Sequence, residues 1–170
     1  RDGRPSFRRT LTEVIEAYKT RPDDIARAVQ GVRDALERVW NTDQPLNVDP
    51  NIVEPVSRRL TQRIDLFFGG FEGAPKFPQT SALTLVWRAF MRTAAPQFGN
   101  AVTLTLDNMS QGGIYDQVGG GFHRYAVDGI WRVPHFEKML YDNAQLARVY
   151  AAASVLGRGT EEQVRRYRRI

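Results

Sequence analysis

The sequence predicts an all-α chain of stacked helical hairpins, and two observations carry that expectation. Apolar residues recur at three- and four-residue steps through most of the 170 residues, the period of amphipathic helices. The segments between these stripes alternate between short links and long glycine-rich loops, so consecutive helices pair and the long loops gather on one face. That face is the expected binding face.

Phe7, Leu11, Val14, Ile15 and Tyr18 form the first stripe, with Ser6 as its start signal and an end near Thr20. Pro22, Asp23 and Asp24 open a second helix, since proline suits a first helical position and acids favour its positive end. Its stripe is Ile25, Val29, Val32, Leu36 and Val39, and Asn41 to Pro50 is a polar connector. Ile52, Val53, Val56, Leu60, Ile64 and Phe67/Phe68 restore the helical period, with Pro55 early enough to be tolerated in a first turn. Residues 69–78, GGFEGAPKFP, break both helix and strand and make a shaped loop. Helical pattern resumes from Gln79 to Thr93, with Trp87, Phe90 and Met91 assigned to the core. It resumes again from Gly99 to Met109, and the link Ala95–Phe98 makes these two antiparallel. Residues 112–133 read as a glycine-rich loop or short β-hairpin. A helix then begins at Pro134 and runs through Phe136, Met139, Leu140, Ala144, Leu146 and Ala147 to Gly157, and Thr160 with Glu161 starts another.

Composition narrows the function classes. With 42% hydrophobic and 25% charged residues the chain has the balance of a globular domain. Cysteine is absent, which excludes disulfides and thiolate chemistry within these residues. Of the net charge of +5, residues 1–10 carry +3 (four arginines against Asp2) and residues 158–170 carry +3 (five arginines against Glu161 and Glu162), which leaves about −1 between them. A basic excess confined to the ends argues against a phosphate-tracking face, so nucleic acid is not an expected partner. No apolar run approaches the roughly 18 residues of a spanning helix, so no membrane partner is expected and the expected location is cytoplasmic.

The chemistry concentrates after Gly112, where GGIYDQVGGGFHRYAVDGIWRVPHFEKMLYDNA holds both histidines of the chain. Aromatic faces, carboxylates and imidazoles are the components of a polar small-molecule site. Asp116, His123, His135 and Glu137 are the acid–base candidates. Tyr115, Tyr125 and Trp131 are stacking surfaces, and Arg124, Asp128, Tyr141 and Lys76 are further ligand contacts. On a helix beginning at Pro134, Glu137 and Tyr141 share a face and Lys138 and Asp142 form an ion pair. A structural role competes throughout: Gly-rich turns with Asp often just fix loop shape, His135 near a helix start can serve to cap or pack, and His123 can likewise be structural. No tight metal-ligand spacing is present and Gly119-Gly120-Gly121 lacks a strand–turn–helix context, so neither metal nor other cofactor is expected.

Three stretches carry a family resemblance: GGFEGAPKFPQ at 69–79, LDNMSQGGIYDQVGGGFHRYAVDGIW at 106–131 and VPHFEKMLYDNAQLARVY at 133–150. They resemble the spermatogenesis-associated protein 20-like family, the YyaL-type thioredoxin-domain-containing proteins. The resemblance implies a thioredoxin-like domain of the same full-length chain, followed by an α/α toroid similar to six-hairpin glycosidases and N-acylglucosamine 2-epimerases. Residues 1–50 would then be linker helices after that domain, and 51–170 the first helices of a partial toroid. It implies a carbohydrate-like small molecule as ligand, with epimerase- or glycosidase-like chemistry. A non-enzymatic redox-adaptor or interaction module is the alternative. A partial toroid also leaves stripes such as Phe136, Leu140 and Leu146 short of partners, so the chain is expected to associate with itself or other chains, to be a remnant of a longer chain, or to be marginally stable.

Overall fold

The computed structural model describes residues 5–40, 49, 51–155 and 160–170. The chain divides into two units, Arg1–Val48 and Asp49–Ile170. In the first, α1 (Phe7–Thr20) and α2 (Pro22–Trp40) pack on each other, and neither buries a residue fully. The Ser6 hydroxyl caps α1 by accepting the Arg9 N–H at 3.3 Å, and Asp23 and Asp24 lie in the first turn of α2, as their positions predict. The connector expected at Asn41–Pro50 and the break at Gly157–Gly159 lie outside the described residues, Asp49 excepted.

The second unit holds α3 (Val53–Thr61), α4 (Thr80–Thr93), α5 (Pro96–Gln111), α6 (Leu140–Val155) and α7 (Glu161–Tyr167). Among the described residues there are seven helices and no strand, only isolated bridges, so the all-α class holds. The hairpin repeat expected of a partial α/α toroid is also present. A long loop follows α3 and another follows α5, while α4 and α5 meet at the two-residue link Ala94–Ala95. Leu83, Val86, Trp87 and Phe90 of α4 pack with Phe98, Val102, Leu106 and Met109 of α5 and Leu146, Val149 and Tyr150 of α6 in one core. Tyr167 ties α7 to α5 by donating to the Asp107 carboxylate at 2.9 Å, and a Thr160–Gln163 capping box starts α7.

Several expectations are corrected. The third helix stops at Thr61 and does not reach Phe68, because the Asp65 carboxylate accepts the N–H groups of Phe67 and Phe68 and turns the chain. Pro134–Met139 is not helical: His135 N–H bonds Tyr125 O at 2.9 Å, and Glu137 O accepts from Arg124 N–H at 2.7 Å. The segment is therefore tied to the preceding loop and α6 begins only at Leu140. Glu137 and Tyr141 share no helical face, and Lys138 pairs with Asp116, not Asp142. Met91 is exposed and not core. Of the three residues expected to lack partners, Leu146 is fully buried while Phe136 and Leu140 are exposed.

Candidate functional site

The two long loops are built on one local design. In the first, Ile64 and Phe71 form a bridge, Asp65 N–H donates to Gly70 O at 2.8 Å and Gly69 N–H donates back to Asp65 O at 2.9 Å. In the second, Tyr115 and Phe122 form the bridge, Asp116 N–H donates to Gly121 O at 2.9 Å and Gly120 N–H donates to Asp116 O at 2.9 Å. One carboxylate oxygen of each Asp accepts two backbone N–H groups, and the other accepts a lysine ammonium: Lys76 at 2.8 Å and Lys138 at 2.6 Å. Both turns need consecutive glycines at positive φ, 63° and 66° at Gly69–Gly70 and 73° and 79° at Gly120–Gly121.

The loops are locked to each other. Lys76 and Ala126 exchange both backbone hydrogen bonds, at 2.8 and 2.9 Å. The Trp131 indole N–H donates to Phe68 O at 2.8 Å, and the Lys76 ammonium donates to Gly129 O at 2.9 Å while lying 5.3 Å from the centroid of the Trp131 ring. Gathering of the long loops at one end is thus a matter of direct bonds.

This locking sorts the candidate residues into two groups. Trp131 is fully buried and Lys76 is 2% exposed, so the expected roles as stacking surface and ligand contact are replaced by a loop-to-loop buckle. Asp128 accepts the N–H groups of Ile130, Arg132 and Val133; burial works to raise its pKa and these bonds outweigh it, holding it below the usual carboxylate value. Asp116 is held well below that value by Lys138 and by the N–H groups of Gly119 and Val118. Both carboxylates shape the loop, and neither is poised to carry a proton near neutral pH. Tyr115 packs its ring on Phe122 at 4.9 Å.

The second group forms a ladder that reaches solvent. Phe77 meets Tyr125 at 4.8 Å between ring centroids, and Tyr125 stacks on His135 at 4.7 Å and 15°. Glu137 lies 3.8 Å from His135 Nδ1 and accepts from Arg124 at 3.2 Å. Arg124 also lies within electrostatic reach of Tyr141 and of the Asp142 carboxylate. His123 is nearly buried, with the Phe136 ring edge-on at 5.3 Å and an Nδ1 that has no hydrogen-bond partner. Its pKa is lowered first by burial and then by Lys138, with Asp116 opposing, which favours the neutral imidazole. Thus Phe77, Tyr125, His135, Glu137 and Arg124 come together, with Tyr141 and Asp142 near Arg124, whereas His123 packs on Phe136 near Lys138, and Trp131, Lys76, Asp128 and Asp116 belong to the frame.

Two contributors were not among the candidates. Asn143 accepts Phe122 N–H at 2.7 Å and donates to Phe122 O and Met139 O, both at 3.0 Å, fixing the residue before His123. An asparagine within a helix has poor propensity, and that is the signal that its side chain is engaged elsewhere. Asp142 has its pKa raised by burial against the opposing charge of Arg124. Its place beside Arg124 was hidden by the helix expected from Pro134. Among the described residues no group of three or more His, Cys, Asp or Glu could hold a metal ion, and no helix is long and apolar enough to cross a membrane.

No family model matches the chain. Cellobiose 2-epimerase from Spirochaeta thermophila shows a structural likeness with TM-score 0.48 and 22% identity, covering 71% of this chain and 36% of that one. Spermatogenesis-associated protein 20 of Homo sapiens is 37% identical over 161 residues, which covers 88% of this chain and 20% of the relative. The Rattus norvegicus protein of the same name is 36% identical over 160 residues, with the same coverage. The chain therefore belongs to the spermatogenesis-associated protein 20-like family and spans about one fifth of the length of the curated relatives it matches.

Proposed function

We propose that the surface formed by residues 122–142 with Phe77 binds a carbohydrate-like small molecule within a larger protein. The observation that carries this reading is the Phe77–Tyr125–His135 ladder ending on the Glu137–Arg124 pair. Aromatic faces suit the C–H faces of a sugar ring, and an adjacent carboxylate and guanidinium suit its hydroxyls. In this reading neutral His123 is a proton acceptor, and His135 and Glu137 are the acid–base groups of the ladder. The same proposal takes residues 1–50 as helices after a thioredoxin-like domain and 51–170 as the first hairpins of an α/α toroid. The test is calorimetric titration of full-length protein with neutral sugars and acidic disaccharides. Binding weakened at least tenfold by Tyr125→Ala and Glu137→Gln supports the assignment. Absence of binding, or binding indifferent to both changes, contradicts it.

One observation favours a second reading, a non-enzymatic adaptor. Phe136 and Leu140 project from the same surface almost fully exposed, at 84% and 86%, and exposed apolar side chains of this size are common at protein interfaces. Thiol-trapping of full-length protein should then recover client proteins, and their loss on Phe136→Ser with sugar binding unchanged would select this reading.

A further inference from the structure

Away from that ladder, α4 and α6 enclose a groove of about 520 Å3, within the roughly 300–1,000 Å3 of small-molecule sites. Its floor is apolar, with Leu85 from α4 and Val149 and Ala152 from α6. Its polar side is one-signed: Arg88 and Arg148 line it, and none of the described lining residues is acidic. Arg88 and Arg148, like the exposed Arg59 and Arg63, have no carboxylate within ion-pair distance among the described residues. Trp87, also part of the lining, is 5% exposed, and its indole N–H is buried without an acceptor. A buried donor in that state is costly and rare.

We propose that this groove binds a small organic carboxylate, its apolar body on Leu85, Val149 and Ala152 and its charge held by Arg88 and Arg148. Guanidinium groups match a carboxylate in geometry as well as charge, and the groove supplies cations but no anion. A polyphosphate or nucleic-acid backbone would leave the apolar floor uncovered, so an amphiphilic small anion is the better fit. The site shares no residue with the 122–142 ladder and stands or falls independently of the sugar reading.

The experiment is calorimetric titration of full-length protein with 1-naphthoate, its neutral amide 1-naphthamide and inorganic phosphate. Naphthoate should bind, naphthamide about tenfold more weakly, and phosphate less well than naphthoate. Arg88→Gln and Arg148→Gln should each weaken naphthoate about tenfold. Both side chains are exposed, so an unchanged far-UV spectrum should accompany each change. Equal binding of acid and amide, indifference to both substitutions, or phosphate binding as tightly as naphthoate would overturn the proposal. So would absence of naphthoate binding at millimolar concentration, because the groove of the full-length protein would then be filled by protein.

Discussion

The turns at Asp65–Phe71 and Asp116–Phe122 have the same hydrogen bonds but opposite surroundings. In the first, the lysine side chain is 1% exposed and sits between Asp65, Gly129 O and the Trp131 ring. In the second, it is 38% exposed and bonds Asp116 and Gly120 O at the surface beside His123. One copy is built into the frame and the other presents residues to solvent. A repeated local design therefore does not imply a repeated role; the role follows from what packs against the lysine.

The sharpest way to break this comparison is to remove each lysine. Lys76→Met leaves Asp65 facing an apolar group and should cost about 3 kcal/mol, the low end for breaking a buried pair because Asp65 keeps some solvent contact. Lys138→Met should cost clearly less, since solvent can replace the ammonium. Thermal unfolding of the two variants checks this, and equal losses would erase the distinction.

The glycines give the next effect. Gly70 and Gly120 both hold positive φ, but a Cβ on Gly70 runs into the Trp131 ring while one on Gly120 meets only the Tyr115 hydroxyl at 3.9 Å. Gly120→Ala should cost the backbone penalty alone, about 1–2 kcal/mol, and Gly70→Ala visibly more. Denaturant midpoints of the two variants measure the difference.

The smallest effect is electrostatic. Because His123 has a folded-state pKa below its ordinary value of 6.5, the unfolded chain binds more protons as pH falls past about 6.5. The stability linked to its neutral form is present above that pH and lost as pH falls through the folded value. Lys138→Met removes one of the depressing charges, so the His123 titration followed by NMR should move upward. An unmoved midpoint would contradict the placement of Lys138 beside it.

Much of this was legible in the sequence, for physical reasons that differ by segment. The stripes of α1, α2, α4 and α5 are periodic, and Ser6 and Pro22 mark the starts of α1 and α2, so local chemistry sufficed there, while α5 begins at Pro96, inside the link expected at Ala95–Phe98. Pro134–Met139 misled because its apolar spacing fits a helix while its backbone bonds go to Arg124 and Tyr125, partners that periodicity does not reveal. Trp131 and Tyr125 looked alike as loop aromatics; only tertiary packing separates them. The shared pattern of an apolar residue, Asp, three residues and then Gly-Gly-Phe at 64–71 has a close counterpart at 115–122. Alignment of the chain with itself would have shown it.

Trp131 and Tyr125 therefore provide the most direct test of the division between frame and ligand-facing surface. Urea unfolding of Trp131→Ala should show a loss of about 3–5 kcal/mol, as expected for a large buried aromatic, whereas Tyr125→Ala should lose about 1 kcal/mol, the worth of its ring contacts. Equal losses from the two substitutions would contradict the account, because Tyr125 would then belong to the frame and not to the surface that meets a ligand.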